Sequence, residues 1–422
     1  MRTKESPKTK KKWVQPRHRI IRDVAYAVLY PYMRIKYNVK VEKFKAQGKR
    51  QYIILMNHQT AFDQFFIGAA FRGAVYYLAS EDLFSNGFIS KLLRWAVEPI
   101  PIKKQTTDPR AVLNCMRVKK EGGTIALAPE GNRTYSGKTE YIKPAIASLI
   151  RSLKLPVALF RIEGGYGVQP RWSDVVRKGV MRAYVSKVIE PEEYANLSDE
   201  ELLAMVVDGL YVNEGTIDGF YYHKKSAEYL ERAMYVCPYC GLSEFESRND
   251  LITCKKCKRQ IRYLATKELE GVGFEFPFRF VTDWYDEQCK FVNNLDVTTY
   301  VDTPIYQDKA QYYQVVLYQN KRLICKDAQL AVYGDRFVVT SKDKNSKDKN
   351  SKNKNTVCEQ VFPFDMVSVV TVLGRNKLNI YAGGDVLQFK GDKHFNALKY
   401  MNLYYRAKNI NQGEENGEFL GI

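Results

Sequence analysis

The chain has 422 residues, room for two or three domains, and 45% of them are hydrophobic, which excludes wholesale disorder. Its net charge of +19 calls for an anionic partner: a membrane surface, nucleic acid or a phosphorylated substrate. Two short segments hold 12 of those charges, +8 over Met1–Arg22 and +4 over Ser341–Asn355, so the rest is only mildly basic and charge alone does not make this a nucleic-acid protein.

After the basic arm come Ile20, Ile21, Val24, Ala25, Val28, Leu29, Tyr32 and Met33, spaced three and four apart as on one helical face. Pro31 is expected to kink or end that helix. The pattern suits a helix lying in a lipid interface, its cations on anionic headgroups; a solvated tail with a packed helix is the plainer alternative. The uncharged stretch Val24–Met33 is ten residues, about half of the roughly 20 a membrane span needs. No continuous apolar run follows the basic N-terminus as in a signal peptide.

From residue 51 short apolar runs alternate with helical stretches. Strands are expected at Tyr52–Met56, Ala74–Ala79, Thr124–Ala128 and Val157–Ile162, and helices at Ile89–Ala96, Pro109–Lys120 and Ala145–Leu153. This alternation implies an α/β domain with a mainly parallel central sheet flanked by helices, over about 46–215 and preceded by the arm and interfacial helix of 1–45.

A cysteine segment follows within 235–265. Cys237-Pro-Tyr-Cys240 and Cys254-Lys-Lys-Cys257 are thirteen residues apart, the spacing of two knuckles that place four thiolates on one structural zinc. The segment resembles a zinc ribbon, with Gly241 at a tight turn. Four thiolates close the coordination sphere, so no catalysis is assigned to it. Cys115, Cys289, Cys325 and Cys358 are scattered and read as small core residues.

From about 300 to 410 the runs become short and close-set. Strands are expected at Tyr313–Tyr318, Arg322–Lys326, Gln329–Tyr333, Arg336–Thr340, Val357–Phe362, Val367–Val372, Leu378–Tyr381 and Val386–Phe389. A helix with Phe395, Leu398, Met401 and Tyr405 on one side closes the chain. Many short strands and one terminal helix resemble a pleckstrin-homology-like barrel. Ser341–Asn355, a three-fold repeat of Ser-Lys-Asx-Lys-Asn with no apolar residue, reads as a hairpin loop that cannot pack.

Chemistry concentrates after two strands. Asn57-His58-Gln59-Thr60-Ala61-Phe62-Asp63 puts a histidine and an aspartate at a strand end with four residues between them. The carboxylate can hold one imidazole nitrogen while the other takes a proton, the base-and-orienter half of a catalytic triad without its serine. The nucleophile then comes from the substrate, as an alcohol. A helix-capping histidine is the structural alternative. Ala128-Pro129-Glu130-Gly131-Asn132-Arg133-Thr134 offers a tight turn at Gly131 and a planar guanidinium suited to phosphate.

Together the motifs resemble the glycerolipid acyltransferase superfamily typified by bacterial 1-acylglycerol-3-phosphate acyltransferases. That family carries a His-x-x-x-x-Asp motif and a Glu-Gly-Thr-Arg-Ser-like motif, matched by His58…Asp63 and Glu130–Thr134. Pro99–Lys103 and Leu155–Leu159 fit two weaker blocks in order, and the resemblance spans about residues 45 to 215. Asn132 stands in place of the usual Thr, Lys103 of the usual Arg, and Pro144 where Gly often follows Lys.

The resemblance implies an O-acyltransferase in which His58 deprotonates an acceptor hydroxyl and Asp63 orients His58. Arg133 and Lys103 hold the acceptor's phosphate, Glu130, Gly131, Asn132 and Thr134 complete the substrate-binding loop, and acyl-CoA or acyl carrier protein donates. The expected acceptor is lysophosphatidic acid, giving phosphatidic acid, at the cytoplasmic face of an anionic membrane as a peripheral enzyme. Alternatives are another acceptor (glycerol 3-phosphate, another lysophospholipid or a glycolipid) or a non-catalytic zinc-ribbon scaffold, toward which the cluster Lys255, Lys256, Lys258 and Arg259 leans.

Overall fold

The computed structural model describes residues 12–102, 108–316, 319–342 and 357–413. Lys103, most of the basic arm and most of the Ser341–Asn355 repeat lie outside the described residues.

The N-terminal half is a seven-stranded sheet between helices. Its strands are β1 (Val39–Val41), β2 (Ile53–Met56), β3 (Val75–Ser80), β4 (Ile100–Ile102), β5 (Thr124–Leu127), β6 (Val157–Glu163) and β7 (Met181–Ile189), in the order β1-β7-β6-β2-β5-β3-β4. All pairs are parallel except β6 with β7. The helices are α1 (Pro16–Tyr37), α2 (Asp63–Ala70), α3 (Phe88–Val97), α4 (Pro109–Lys120), α5 (Ala145–Leu153) and the short α6 (Gly165–Val168), then α7 (Pro191–Ala195) and α8 (Asp199–Leu210).

Every residue of β2 is buried, as a central parallel strand covered on both faces requires. Ile53 and Leu55 meet a core with Cys115 and Val118 of α4, Ile146 and Ile150 of α5 and Leu202 of α8. Ile54 and Met56 point the other way, into a core with Met33 and Tyr37 of α1 and Phe66 and Ile67 of α2.

α1 departs from expectation, since it runs through Pro31 to Tyr37. Pro31 and Ala27 are both exposed, so the carbonyl that Pro31 leaves unbonded faces solvent and the missing hydrogen bond costs little. The inward face carries His18, Ala25, Leu29 and Met33, while Ile20, Val24, Val28 and Ile35 are exposed on the opposite side. Of the sequence-stretch Ile20–Met33, then, only part turns toward the protein. α1 is pinned early by Trp13 Nε1, which donates to Glu98 O at 2.8 Å, and by Val14 N, which donates to Glu121 Oε2 at 2.8 Å.

The cysteine segment forms β8 (Val236–Cys237) with β9 (Gly241–Leu242), then an antiparallel sheet of β10 (Phe245–Arg248), β11 (Leu251–Cys254), β12 (Gln260–Tyr263) and β13 (Leu269–Gly271). After α9 (Val281–Asn293) come β14 (Tyr306–Val315), β15 (Arg322–Val332), β16 (Arg336–Lys342), β17 (Val357–Pro363), β18 (Val367–Leu373), β19 (Lys377–Ala382) and β20 (Asp385–Lys390). They form one antiparallel sheet, ordered β17-β16-β15-β14-β20-β19-β18, and α10 (Ala397–Asn411) packs on it. Tyr404 Oη donates to Val367 O at 2.6 Å and Tyr405 Oη to Val370 O at 3.1 Å, which fixes the helix on β18.

Two strands expected at Arg322–Lys326 and Gln329–Tyr333 are one. Tyr312 pairs with Cys325 and Ala310 with Ala328, so Lys326 and Asp327 are absorbed in a bulge.

These parts share one interior. A single cluster of buried residues runs from Tyr135, Tyr166 and Trp172 of the first half through Cys237, Cys254 and Trp284 to Leu330, Val370 and Leu403. Arg232, almost wholly buried, crosses the seams: it donates to Trp172 O at 2.8 Å, to Asp174 at 2.8 Å and to Lys393 O at 2.6 Å.

Candidate active site

β2 and β5 lie side by side in parallel, so the two motifs, 72 residues apart between His58 and Glu130, leave the same end of the sheet as neighbours. The carboxyl ends of parallel strands are where open α/β sheets bind ligands. Asn57 holds the first motif to β6: its Nδ2 donates to Ile162 O at 2.8 Å, and Ile162 N donates to its Oδ1 at 2.7 Å.

His58 Nδ1 and Asp63 Oδ2 are 2.7 Å apart. Asp63 opens α2 and is fully buried, while about a quarter of the His58 side chain is exposed. Asp63 also accepts from Gln59 N at 2.9 Å, Thr60 N at 2.9 Å and Thr60 Oγ1 at 2.6 Å. This set of donors locks the direction of the carboxylate. With Nδ1 engaged by the carboxylate, any proton transfer by this imidazole would use Nε2.

The second motif is braced by Glu130. Its Oε1 accepts from His58 N at 2.7 Å and its Oε2 from Glu140 N at 2.7 Å, so both oxygens serve the loops. Burial pushes Glu130 up to about 8, against the pull of those two N–H groups from Glu140 and His58. Thr134 N donates to His58 O at 3.2 Å, a second tie between the motifs. Gly131 turns with φ of +70°, a conformation that favours glycine.

His58, Glu130, Gly131, Asn132 and Arg133 line one cavity of about 870 Å³, walled mostly by apolar side chains of the first five helices. The volume suits a lipid-sized ligand. Thr134 is not among its lining residues; it is buried, its hydroxyl accepting from Gly137 N at 3.0 Å. Arg133 Nη1 is buried without a hydrogen-bond partner among the described residues. Burial, then the guanidinium groups of Arg171 and Arg375, push Arg133 down to about 9, which leaves it a cation at neutral pH.

Sequence reasoning missed Glu140, Arg171 and Thr60. Glu140 backs the loop by accepting from Tyr135 N at 3.2 Å, and burial pushes it up to about 7. Thr60 lies inside the first motif, so its role was open to view there. Glu140 lies near its partner Tyr135 in sequence but outside both motifs, and Arg171 makes contacts that no local spacing signals.

The four cysteines converge: one ligand atom from each lies within 4.8 Å of every other, and Cys237 Sγ and Cys257 Sγ are 3.8 Å apart. A tetrahedral ion with bonds of about 2.3 Å to sulfur needs sulfur atoms roughly 3.8 Å apart, so this donor set fits zinc. Gly241 and Lys258, both at positive φ, make the two turns, with Cys240 N donating to Cys237 O and Lys258 N to Cys254 O.

Residues 36–162, which hold both motifs, match the acyltransferase family model. The chain thus carries an acyltransferase family domain. Among curated proteins it is similar to 1-acyl-sn-glycerol-3-phosphate acyltransferase of Bacillus subtilis (strain 168), with 21% identity over 136 residues. That match covers 32% of this chain and 65% of the relative, just under two thirds of its length. The crystal structure of the 1-acyl-sn-glycerophosphate (LPA) acyltransferase PlsC from Thermotoga maritima aligns at a TM-score of 0.37 and 21% identity, over 46% of this chain and 75% of that one. The solution structure of the N-terminal PH domain of human ARAP2 aligns at a TM-score of 0.18 and 17% identity, over 25% of this chain and 81% of that one.

Proposed function

We propose that this chain moves a fatty acyl group from a thioester, acyl-CoA or acyl carrier protein, to the hydroxyl of lysophosphatidic acid, giving phosphatidic acid. The observation that carries this reading is a buried Asp63 aligning His58 at 2.7 Å, with Arg133 on the wall of the same apolar cavity.

His58 Nε2 takes the hydroxyl proton as the acceptor oxygen attacks the thioester carbonyl. Asp63 stabilises the imidazolium. The tetrahedral intermediate collapses, the carbon–sulfur bond breaks, and the departing thiolate takes the proton from His58, leaving ester and thiol. Arg133 grips the acceptor's phosphate and so places the hydroxyl at the base. The acyl chain lies in the apolar cavity. Glu130, Asn132 and Gly131 hold the loop in shape, and Lys103 is assigned with Arg133 to the phosphate by the order of the motifs.

Arg133→Ala is expected to raise the acceptor's KM and lower kcat/KM by about 10²-fold, the scale of a lost charge-assisted pair, with the donor's KM unchanged. An acceptor KM within twofold of wild type would remove the phosphate from this position.

We also assign the four cysteines a structural zinc; metal analysis of protein purified without chelator should find close to one zinc per chain. No described helix is long and apolar enough to cross a membrane. The exposed faces of α1 (Ile20, Val24, Val28) and α3 (Phe88, Ile89, Leu92, Trp95) support peripheral contact with an anionic lipid surface at the cytoplasmic side, and the basic arm supplies charge for it. Sedimentation with anionic but not neutral vesicles tests this.

A further inference from the structure

The turn between β18 and β19 reaches out of the C-terminal sheet into the wall of the catalytic cavity. Val372, Leu373 and Gly374 line that cavity together with His58 and Arg133, although more than 200 residues separate them in sequence. Arg171 holds them there. Its Nη2 donates to Val372 O at 2.9 Å, its Nε to Gly374 O at 3.0 Å and its Nη1 to Arg133 O at 2.7 Å, while the guanidinium lies 4.1 Å from the Tyr135 ring centroid. One planar fork thus ties the loop of the phosphate-binding arginine to a turn of the other domain. Gly374 takes a φ of +63°, which suits the reversal of direction. The next residue, Arg375, pairs with Asp174 at 3.3 Å.

We propose that the β18–β19 turn is the acceptor-side wall of the active site, with Leu373 a specificity-determining residue and Arg171 the positioning residue that seats the turn against Arg133. The C-terminal sheet then works as part of the acyltransferase rather than as a separate recognition module. The ligand it helps select is a phosphorylated monoacyl lipid, so the inference rests on the acyl-transfer reading.

Three observations favour the acceptor end over the donor end. The turn adjoins the backbone of Arg133, whose buried Nη1 lacks a partner among the described residues. Arg171 and Arg375 add positive potential beside it. The shared interior and the Arg232 ties keep the sheet from swinging away.

The test is steady-state kinetics of the full chain with acyl-CoA and lysophosphatidic acid, donor and acceptor varied separately. Leu373→Trp, at a half-buried turn position, is expected to raise the acceptor's KM about tenfold with the donor's KM unchanged, because only acceptor binding is obstructed. Arg171→Lys keeps the charge but cannot donate in three fixed directions, and should give the same split. Arg171→Lys behaving as wild type would show that charge, not placement of the turn, is what matters, and would overturn the positioning role. Leu373→Trp with an acceptor KM within twofold of wild type, or with donor and acceptor KM raised alike, would overturn the wall. A wild-type chain that transfers no acyl group to lysophosphatidic acid would instead sink the functional reading on which this one stands.

Discussion

Replacing His58 with alanine is expected to lower kcat for acyl transfer by about 10²–10⁴-fold, the range for a positioned general base, with the fold intact. The side chain is partly exposed and packs in no core, so its loss leaves no large void. Asp63→Asn should cost on the order of 10³–10⁴-fold, comparable to the loss when the carboxylate of a serine-protease triad is changed the same way. An amide there can offer Nδ2 to the imidazole, which reverses the tautomer and puts the proton on Nε2. It also leaves Gln59 N, Thr60 N and Thr60 Oγ1 sharing one acceptor oxygen, so some loss of stability should accompany it. Thermal melts and turnover measured on the same preparations separate the effects. A His58→Ala variant with wild-type melting and turnover within tenfold of wild type would refute the base assignment.

Loss of the proposed zinc is the second large expected effect. In zinc-finger peptides, bound zinc contributes about 10–16 kcal/mol. Here the cysteines stand inside the same buried cluster as Tyr135, Tyr166 and Trp172, next to the candidate site's loops. A strong chelator, or Cys254→Ser, is therefore expected to lower the melting temperature by roughly 10 °C or more and to take acyl transfer with it. The loss should come as one cooperative transition. Two separate transitions, with full activity surviving the first, would show that the cysteine segment and the catalytic half are independent.

Much of this was legible in the sequence where the rule is local. The helices Pro109–Lys120 and Ala145–Leu153 carry sharp end signals: Asp108 caps the first through Arg110 N and Ala111 N, and proline precedes the second. The central strands were plain because parallel strands buried on both faces are continuous apolar runs. β7 escaped for the converse reason: it is antiparallel to β6, half exposed, and broken by Arg182, Ser186 and Lys187. β1 is three residues long and gains its identity only by pairing with β7. The histidine and aspartate were found because a window of six residues contains them both. The role of Arg171 depends on carbonyls at Val372 and Gly374, and no pattern near Arg171 predicts which distant turn it will meet.

α1 deserves a last consequence. It is fastened at its start by Trp13 and Val14, and at its end the chain passes through buried Tyr37 directly into β1. A rod fastened at both ends cannot swing out from the protein, so any bilayer it meets, it meets along its side. Its exposed apolar side and its cavity-ward side are back to back, separated by the full helix diameter of about 10–12 Å. On the proposed reading, a lipid tail reaching the cavity from a bilayer passes alongside that rod rather than through it, and the width of that gap would then set how fast long-chain lipids are used.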